Sequence, residues 1–309
     1  MAWCSCGSSR HRAIRLDDER LYPSGPGLST DLSKPFPVYF FDLRLQVLFR
    51  IISMIGTAGE TPFDVRFNLL GIPVRIHPIF WLSGAMMFWN PDRMDLVVLG
   101  VISIFISVLV HELGHAIVLR HYGWPSEIVL FFMGGYATAT RLPTWRQIWS
   151  LAAGPLVGLA LAFVIFWIRF SLQQFSPDVF SQLPALNPFF DMLLFSGIVI
   201  NLMNLIPALP LDGGQIMATL VNHYGRRGQN ATVLTMQISI ASAGAVALWC
   251  AYCLNNSKPV IPFSFYRLLP AQQAIELAML QPDPRFMMLF FGILCAQGVI
   301  AYNNVRTWR

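Results

Sequence analysis

The sequence predicts an all-α polytopic membrane protein with about six transmembrane helices and one small membrane-associated β-hairpin. Only 12% of its 309 residues are charged and 55% are hydrophobic, whereas a soluble globular chain is about 25% charged. From residue 66 onward, apolar runs alternate with short polar joints, and most of these runs approach the ~20 residues that cross a bilayer as a helix. The lipid bilayer is therefore the first predicted partner.

The N-terminal part differs from the rest in composition. Residues 1–60 begin with a polar stretch rich in Ser, Gly and Pro that lacks the order of a signal peptide. The apolar stretch 36–56 that follows contains Asp42, Arg44 and Arg50, which suits a helix lying on the membrane surface better than one crossing it. We therefore divide the chain into this N-terminal part and a membrane domain over 61–309.

Six apolar segments are candidates for membrane spans. The first is short for a span, so it suits a tilted or partly interfacial helix. The fourth is interrupted by Pro207 and Pro210, which predict a break because proline removes a backbone donor inside a helix. The segments are 76–91, 95–121, 145–172, 188–221, 231–254 and 286–303.

Between the second and third segments, the stretch "EIVLFFMGGYATAT" contains two strand-like runs on either side of Gly134 and Gly135. Two such runs around a glycine pair predict a β-hairpin.

The positive charge gives a topology and argues against nucleic acid as a partner. The net charge of +5 comes from Lys and Arg scattered singly between apolar runs, without the basic stripe that nucleic-acid binding needs. Basic residues favour the cytoplasmic side of a membrane, and here they predict cytoplasmic N- and C-termini. Those on the predicted cytoplasmic side are Arg120, Arg141, Arg146, Arg226, Arg227, Arg306 and Arg309.

Three ionisable residues, in the motif "HELGH", lie inside the second segment. His111 and His115 are four residues apart, so on a helix they project from one face, and Glu112 lies near that face. Two neutral imidazoles at this spacing can share one Zn²⁺, and the glutamate can take a proton from water. The alternative is a pair of histidines hydrogen-bonded within a helix bundle, which leaves a glutamate at membrane depth unexplained.

A catalytic zinc usually has a third protein ligand. Asp212 is the best-placed candidate because it follows the proline break of the fourth segment, although it could instead cap the helix that resumes there. Asp178, Asp191 and Glu127 are further candidates that lie farther from the expected site.

Four motifs in order resemble the site-2 protease family of intramembrane zinc metalloproteases. They are "HELGH", "FFMGGYA", "LAAGPLVGL" and "NLIPALPLDGG", and the resemblance covers about residues 66–222. It implies one Zn²⁺ per chain bound by His111, His115 and Asp212, with Glu112 as general base. It also implies that Asn204 holds substrate or polarises the scissile carbonyl, and that the strand edge at Gly134 and Gly135 binds substrate.

The resemblance implies that membrane-anchored proteins with a transmembrane helix are the substrates of an intramembrane endopeptidase. Two other hypotheses stay open. One is a catalytically silent relative that binds transmembrane helices, although the sequence retains Glu112 and the full ligand set. The other is a metal transporter, which would need polar ligands at several depths. The sequence specifies no oligomeric state.

Overall fold

The computed structural model describes residues 59–131, 134–137, 142–225, 229–262 and 282–307. The chain divides into one unit over Met1–Ile52 and a second over Ser53–Arg309, and the description below concerns the second. The polar tail and the surface helix over 36–56 fall outside the described residues. They stay predictions, as does the division of the chain at residue 60.

A four-stranded sheet precedes and follows the first long helix. Its strands are β1 (Val65–Leu69), β2 (Ile72–Ile76), β3 (Ile128–Phe131) and β4 (Gly134–Ala137), in the order β1-β2-β3-β4. Strands β1 and β2 are antiparallel, β2 and β3 parallel, and β3 and β4 antiparallel. The predicted hairpin is thus present as β3 and β4, and it belongs to a larger sheet.

The hairpin of β1 and β2 is a feature that we did not predict. Its two turn residues, Leu70 and Gly71, both have positive φ, 52° and 75°. Positive φ at both central residues matches the right-handed twist of paired strands. The sequence feature that indicates this hairpin is the alternation of apolar and polar residues on each side of Gly71.

The described part of the chain contains eight helices. They are α1 (Pro78–Met87), α2 (Met94–His121), α3 (Thr144–Phe175), α4 (Asp178–Gln182), α5 (Leu186–Asn204), α6 (Asp212–Tyr224), α7 (Gln229–Asn255) and α8 (Pro284–Thr307). Within the described residues, five helices are long and apolar enough to cross a membrane: α2, α3, α5, α7 and α8. The chain is therefore an integral membrane protein with the predicted helical class of fold.

Two of the six predicted segments differ in detail from the structure. The first contains a helix of only 10 residues, Pro78–Met87, about 15 Å long, which is too short to cross a bilayer upright. It begins late because Ile72–Ile76 pairs in the sheet, and His77 caps it by accepting a hydrogen bond from the Ile79 N–H. The fourth segment is two helices, α5 and α6, separated by a turn over 205–211 that contains both prolines.

Helix α2 is the centre of the packing. It contacts α1, α3 and α5, and the sheet packs against it through β3 and β4. The Ser107 and Ser196 hydroxyls, 2.7 Å apart, join α2 to α5. The buried apolar core between the sheet and α2 is formed by Ile72, Val74, Ile76, Phe80, Ile104, Val108, Ala116, Ile128, Leu130 and Ile200.

A buried ion pair fastens the chain before β1 to the sheet. The Arg75 guanidinium donates to the Asp64 carboxylate at 3.1 Å and to the Gly59 carbonyl at 3.1 Å. Thr61 donates to the same carboxylate from its backbone N–H and its hydroxyl. Burial alone would raise the pKa of Asp64, but the hydrogen bonds from Thr61 and Arg75 lower this pKa to about 2.

We expect Asp64→Asn to weaken this end of the sheet by about 1–2 kcal/mol at pH 7, because the Arg75 charge loses its partner. A carboxyl whose pKa is lowered by folding stabilises the fold above its unfolded pKa, and this stabilisation is lost as the pH falls through the folded value. The difference between wild type and variant in hydrogen exchange of Val65–Leu69 should therefore shrink between about pH 4 and pH 2. Glu60→Gln, which removes an exposed partner of Arg66, is the control and should change little. If wild type and Asp64→Asn differed in hydrogen exchange by the same amount at pH 7 and at pH 2, the ionised Asp64 carboxylate would not be the stabilising group.

Candidate metal centre

Three side chains from two helices meet at one point. His111 and His115 project from one face of α2, and Asp212 is the first residue of α6. The Nε2 atoms of the two histidines are 3.1 Å apart. The Asp212 Oδ2 atom lies 3.1 Å from Nε2 of His111 and 3.3 Å from Nε2 of His115. All three residues are buried, and they form the one cluster of potential metal ligands found among the described residues.

The other ring nitrogen of each histidine has a hydrogen-bond partner. Nδ1 of His115 lies 2.7 Å from the Ser150 carbonyl oxygen, on α3. Because a carbonyl oxygen only accepts, the His115 Nδ1 must carry the proton, which leaves the lone pair of Nε2 facing the cluster. Nδ1 of His111 lies 2.8 Å from Oδ1 of Asn201, on α5. Such partners of a metal-binding histidine orient the ring and select its tautomer.

The geometry of the three facing atoms fits a tetrahedral metal ion. Ligand atoms about 2.0–2.1 Å from a tetrahedral zinc ion lie about 3.3–3.4 Å from one another. The observed separations of 3.1, 3.1 and 3.3 Å are close to that value. The buried Oδ2 of Asp212 has no hydrogen-bond partner, which is costly for a carboxylate unless a cation lies beside it. The residues therefore fit a zinc ion with one coordination position open.

Close backbone packing places Asp212 at this point. A Cβ atom on Gly213 would overlap the carbonyl of Leu205, and one on Gly214 would overlap the backbone of Ala208. The start of α6 therefore lies directly against the turn over 205–211. Ser239 on α7 fastens that turn, because its hydroxyl accepts a hydrogen bond from the Leu209 N–H at 2.8 Å. The two glycines that follow Asp212 are thus required by the approach of two backbone segments.

Helix α3 approaches the histidines equally closely. A Cβ on Gly154 would overlap the His115 imidazole, and a Cβ on Gly114 would lie 2.7 Å from the Ala153 carbonyl oxygen. Small residues at such contacts let membrane helices pack backbone to backbone. Helix α3 therefore both accepts the hydrogen bond of His115, at Ser150, and confines its ring, at Gly154.

The cluster lies at membrane depth and near one end of the helices. It is six to ten residues before the end of α2, which corresponds to about 9–15 Å along the helix axis. Aromatic residues mark that end: Tyr122 receives the Arg146 guanidinium over its ring at 5.4 Å, and Trp145 and Trp149 are exposed. Tryptophan and tyrosine are enriched at membrane–water interfaces, so the cluster lies roughly two to three helical turns below one interface.

The remaining predicted site residues occupy three places. Glu112 is buried on α2 between the two histidines. Asn204 is the last residue of α5 and is half-buried. Gly134 and Gly135 begin β4, which pairs with β3, is the last strand in the order of the described sheet and packs against α2.

The alternative third ligands lie elsewhere. Asp191 pairs with the buried Arg169 near the opposite end of α3, Asp178 is exposed on α4, and Glu127 is half-buried before β3. None of them belongs to the cluster.

Two groups at the cluster were absent from the sequence-based prediction: the Asn201 side chain and the Ser150 carbonyl. A polar residue within an apolar membrane helix is itself a signal of function or of a buried hydrogen bond, so Asn201 could have been noticed. The Ser150 carbonyl gave no signal, because every residue has one.

Comparisons with known proteins found one family model and several relatives to which this chain is similar. The model of peptidase family M50 matches residues 99–248. A zinc metalloprotease of Methanocaldococcus jannaschii is 33% identical over 172 residues, which are 53% of this chain and 47% of that protein. Stage IV sporulation protein FB of Bacillus subtilis is 23% identical over 188 residues, 59% of each chain. The chain thus spans about half the length of these curated relatives.

One solved structure is also similar. The site-2 protease from Methanocaldococcus jannaschii has 23% sequence identity and a TM-score of 0.47, and the match covers 75% of this chain and 95% of that one.

We expect Gly154→Ala to weaken zinc binding by roughly tenfold or more, because the added methyl group displaces the His115 ring. Titration of the purified protein with zinc against a chelator of known affinity measures the change. Gly292→Ala on α8 is the matched control, since a Cβ there has no neighbour within 4 Å. Equal affinities for Gly154→Ala and Gly292→Ala would contradict the role of this contact.

Proposed function

Because the model of peptidase family M50 matches residues 99–248, we propose that this chain is an intramembrane zinc metalloendopeptidase. It hydrolyses peptide bonds in or near the transmembrane segments of membrane-anchored proteins. The observation that carries the proposal is the triangle of His111 Nε2, His115 Nε2 and Asp212 Oδ2 at membrane depth. That geometry supports one zinc ion per chain, with these three residues as its ligands.

The residues around the triangle supply the groups that peptide hydrolysis requires. His111, His115 and Asp212 would hold a zinc ion, which would supply Lewis acidity that lowers the pKa of a water molecule towards about 7 and polarises a carbonyl. Glu112, buried beside both histidines, takes the proton of the attacking water as general base. The Asn204 amide donates a hydrogen bond to the substrate carbonyl oxygen as negative charge develops on it. Asp212 serves as a ligand and carries no proton in the reaction.

The sheet supplies a place for an unwound substrate. The carbonyls of a transmembrane helix are hydrogen-bonded within the helix, so the bond to be cut becomes accessible only when the helix locally unwinds. We propose that the extended segment adds as a further strand to the edge of β4 that is unoccupied among the described strands. Gly134 and Gly135 allow a close backbone approach there, and β4 packs against the helix that carries both histidines.

The position of the cluster relative to the membrane surface suggests where in the bilayer cleavage takes place. The aromatic residues Tyr122, Trp145 and Trp149 mark the interface nearer to the cluster, and the basic residues predict that this interface is cytoplasmic. In this topology both termini are cytoplasmic. Substrates are then cut within the cytoplasmic half of the bilayer, and water enters from that side.

Replacing the general base tests the reaction. We expect Glu112→Gln to lower the cleavage rate of a single-span protein in reconstituted vesicles by about 10²–10⁴-fold. Its zinc content should stay at one per chain, since the three ligands are intact. Glu127→Gln, which changes a half-buried glutamate before β3, is the control and should cleave at the wild-type rate. Wild-type cleavage by Glu112→Gln would reject the proposed function.

Removing the metal tests the ligand set. Dialysis against a strong chelator should abolish cleavage, and one equivalent of zinc should restore it. Asp212→Ala should lose zinc under conditions in which Glu112→Gln retains it, because it removes one of three ligands. Metal analysis that finds equal zinc in Asp212→Ala and wild type would show that the ion lies elsewhere.

A further inference from the structure

Helix α5 contributes a buried amide to the metal centre one turn before its last residue. Asn201 is 0% exposed, and its Oδ1 lies 2.8 Å from Nδ1 of His111. We propose that Asn201 is a positioning residue: it holds the His111 ring in the orientation and tautomer that bind zinc. The inference rests on the proposed function, in that it takes zinc as the ion at this site.

The Gly197 carbonyl determines which way the Asn201 amide faces. The Nδ2 of Asn201 donates a hydrogen bond to the carbonyl oxygen of Gly197, one turn earlier on the same helix. A flipped amide would place Oδ1 against that carbonyl, so that two acceptors would face each other. The amide oxygen must therefore point towards His111.

The fixed amide in turn determines the state of His111. Because Oδ1 of Asn201 only accepts, Nδ1 of His111 must donate the proton between them. A neutral imidazole has one protonated nitrogen, so the proton on Nδ1 leaves Nε2 with a free lone pair. That Nε2 is the atom 3.1 Å from Oδ2 of Asp212. The hydrogen-bond chain from Gly197 through Asn201 thus directs His111 towards the metal, as the Ser150 carbonyl directs His115.

The packing of α3 is built around this amide. A Cβ on Gly158 would overlap the terminal carbon, oxygen and nitrogen of the Asn201 side chain. The α3 backbone therefore lies directly against the amide and prevents it from rotating away from His111. Gly158 follows Gly154 by one helical turn, so one face of α3 confines both the His115 ring and the amide that orients His111.

The amide is not needed merely to join α2 to α5. The same two helices already share the hydrogen bond between Ser107 and Ser196, one helical turn from His111 along α2. A leucine of similar size at position 201 would avoid the cost of burying an amide. The contact with His111 is the feature that a leucine could not reproduce.

The test compares three variants of the full-length protein in detergent or nanodiscs: Asn201→Leu, Asn201→Asp and Ser196→Ala. Two quantities are measured: the zinc dissociation constant by chelator competition, and the visible absorption spectrum of Co²⁺ in the site, which reports ligand geometry. We expect Asn201→Leu to weaken zinc binding by about 10–100-fold and to change the Co²⁺ spectrum. Asn201→Asp retains an acceptor oxygen beside Nδ1, although its second oxygen faces the Gly197 carbonyl, so its affinity should fall by less than that of Asn201→Leu.

Ser196→Ala is the matched control, because it removes a buried hydrogen bond between the same helices without touching the ring. It should leave both the affinity and the spectrum unchanged. If Asn201→Leu does not accumulate in the membrane, Gly158→Ala replaces it and should weaken zinc binding by displacing the amide.

Two results would overturn the inference alone: wild-type affinity and spectrum in Asn201→Leu (or in Gly158→Ala where it stands in), or an equal loss in Ser196→Ala. A wild-type protein that binds no zinc would overturn the proposed function as well, so the two failures are distinguishable.

Discussion

The structure depends on holding three lone-pair donors against one another inside an apolar helical protein. Nε2 of His111, Nε2 of His115 and Oδ2 of Asp212 are separated by 3.1–3.3 Å. At this distance lone pairs repel, and a buried carboxylate is strongly destabilised unless a cation compensates for it. In the proposed function, a metal ion at this point would turn the repulsion into attraction.

Glycine is the means by which the helices hold these atoms. Gly154 and Gly158 bring α3 against the His115 ring and the Asn201 amide, and Gly213 and Gly214 bring α6 against the turn over 205–211. In lipid, the burial of apolar surface does not drive helices together, so van der Waals contact and buried hydrogen bonds must do so. Backbone-to-backbone packing provides rigid walls, because a backbone cannot move aside as a flexible side chain does. The closely packed backbone segments and the hydrogen bonds to Nδ1 together leave each histidine ring little freedom to rotate.

The position of the site reconciles two conflicting needs. The proposed hydrolysis requires water and an extended peptide, whereas the surrounding helices are apolar along most of their length. The proline-containing turn over 205–211 directly precedes Asp212, and β4, the last strand of the described sheet, packs against the helix that carries both histidines. Irregular or unpaired backbone is tolerated at membrane depth only where protein or a watery cavity satisfies its polar groups. Both features therefore suit a site that admits water and a strand of substrate.

The sequence by itself determined the elements that follow from local rules. Long apolar runs predicted five of the helices, and the prolines predicted the break before Asp212. The spacing of four residues predicted that His111 and His115 share a face, since a helix repeats every 3.6 residues. Local rules did not separate α1 from β2, because a short apolar run suits a strand as well as a helix. Its position after the proline break made Asp212 the best-placed third ligand, the family resemblance implied the same residue, and other acidic residues stayed open as candidates. Only the tertiary structure decided that Asn201 faces His111, because that contact joins residues 90 positions apart and depends on the rotation of α5 about its own axis, which no local spacing specifies.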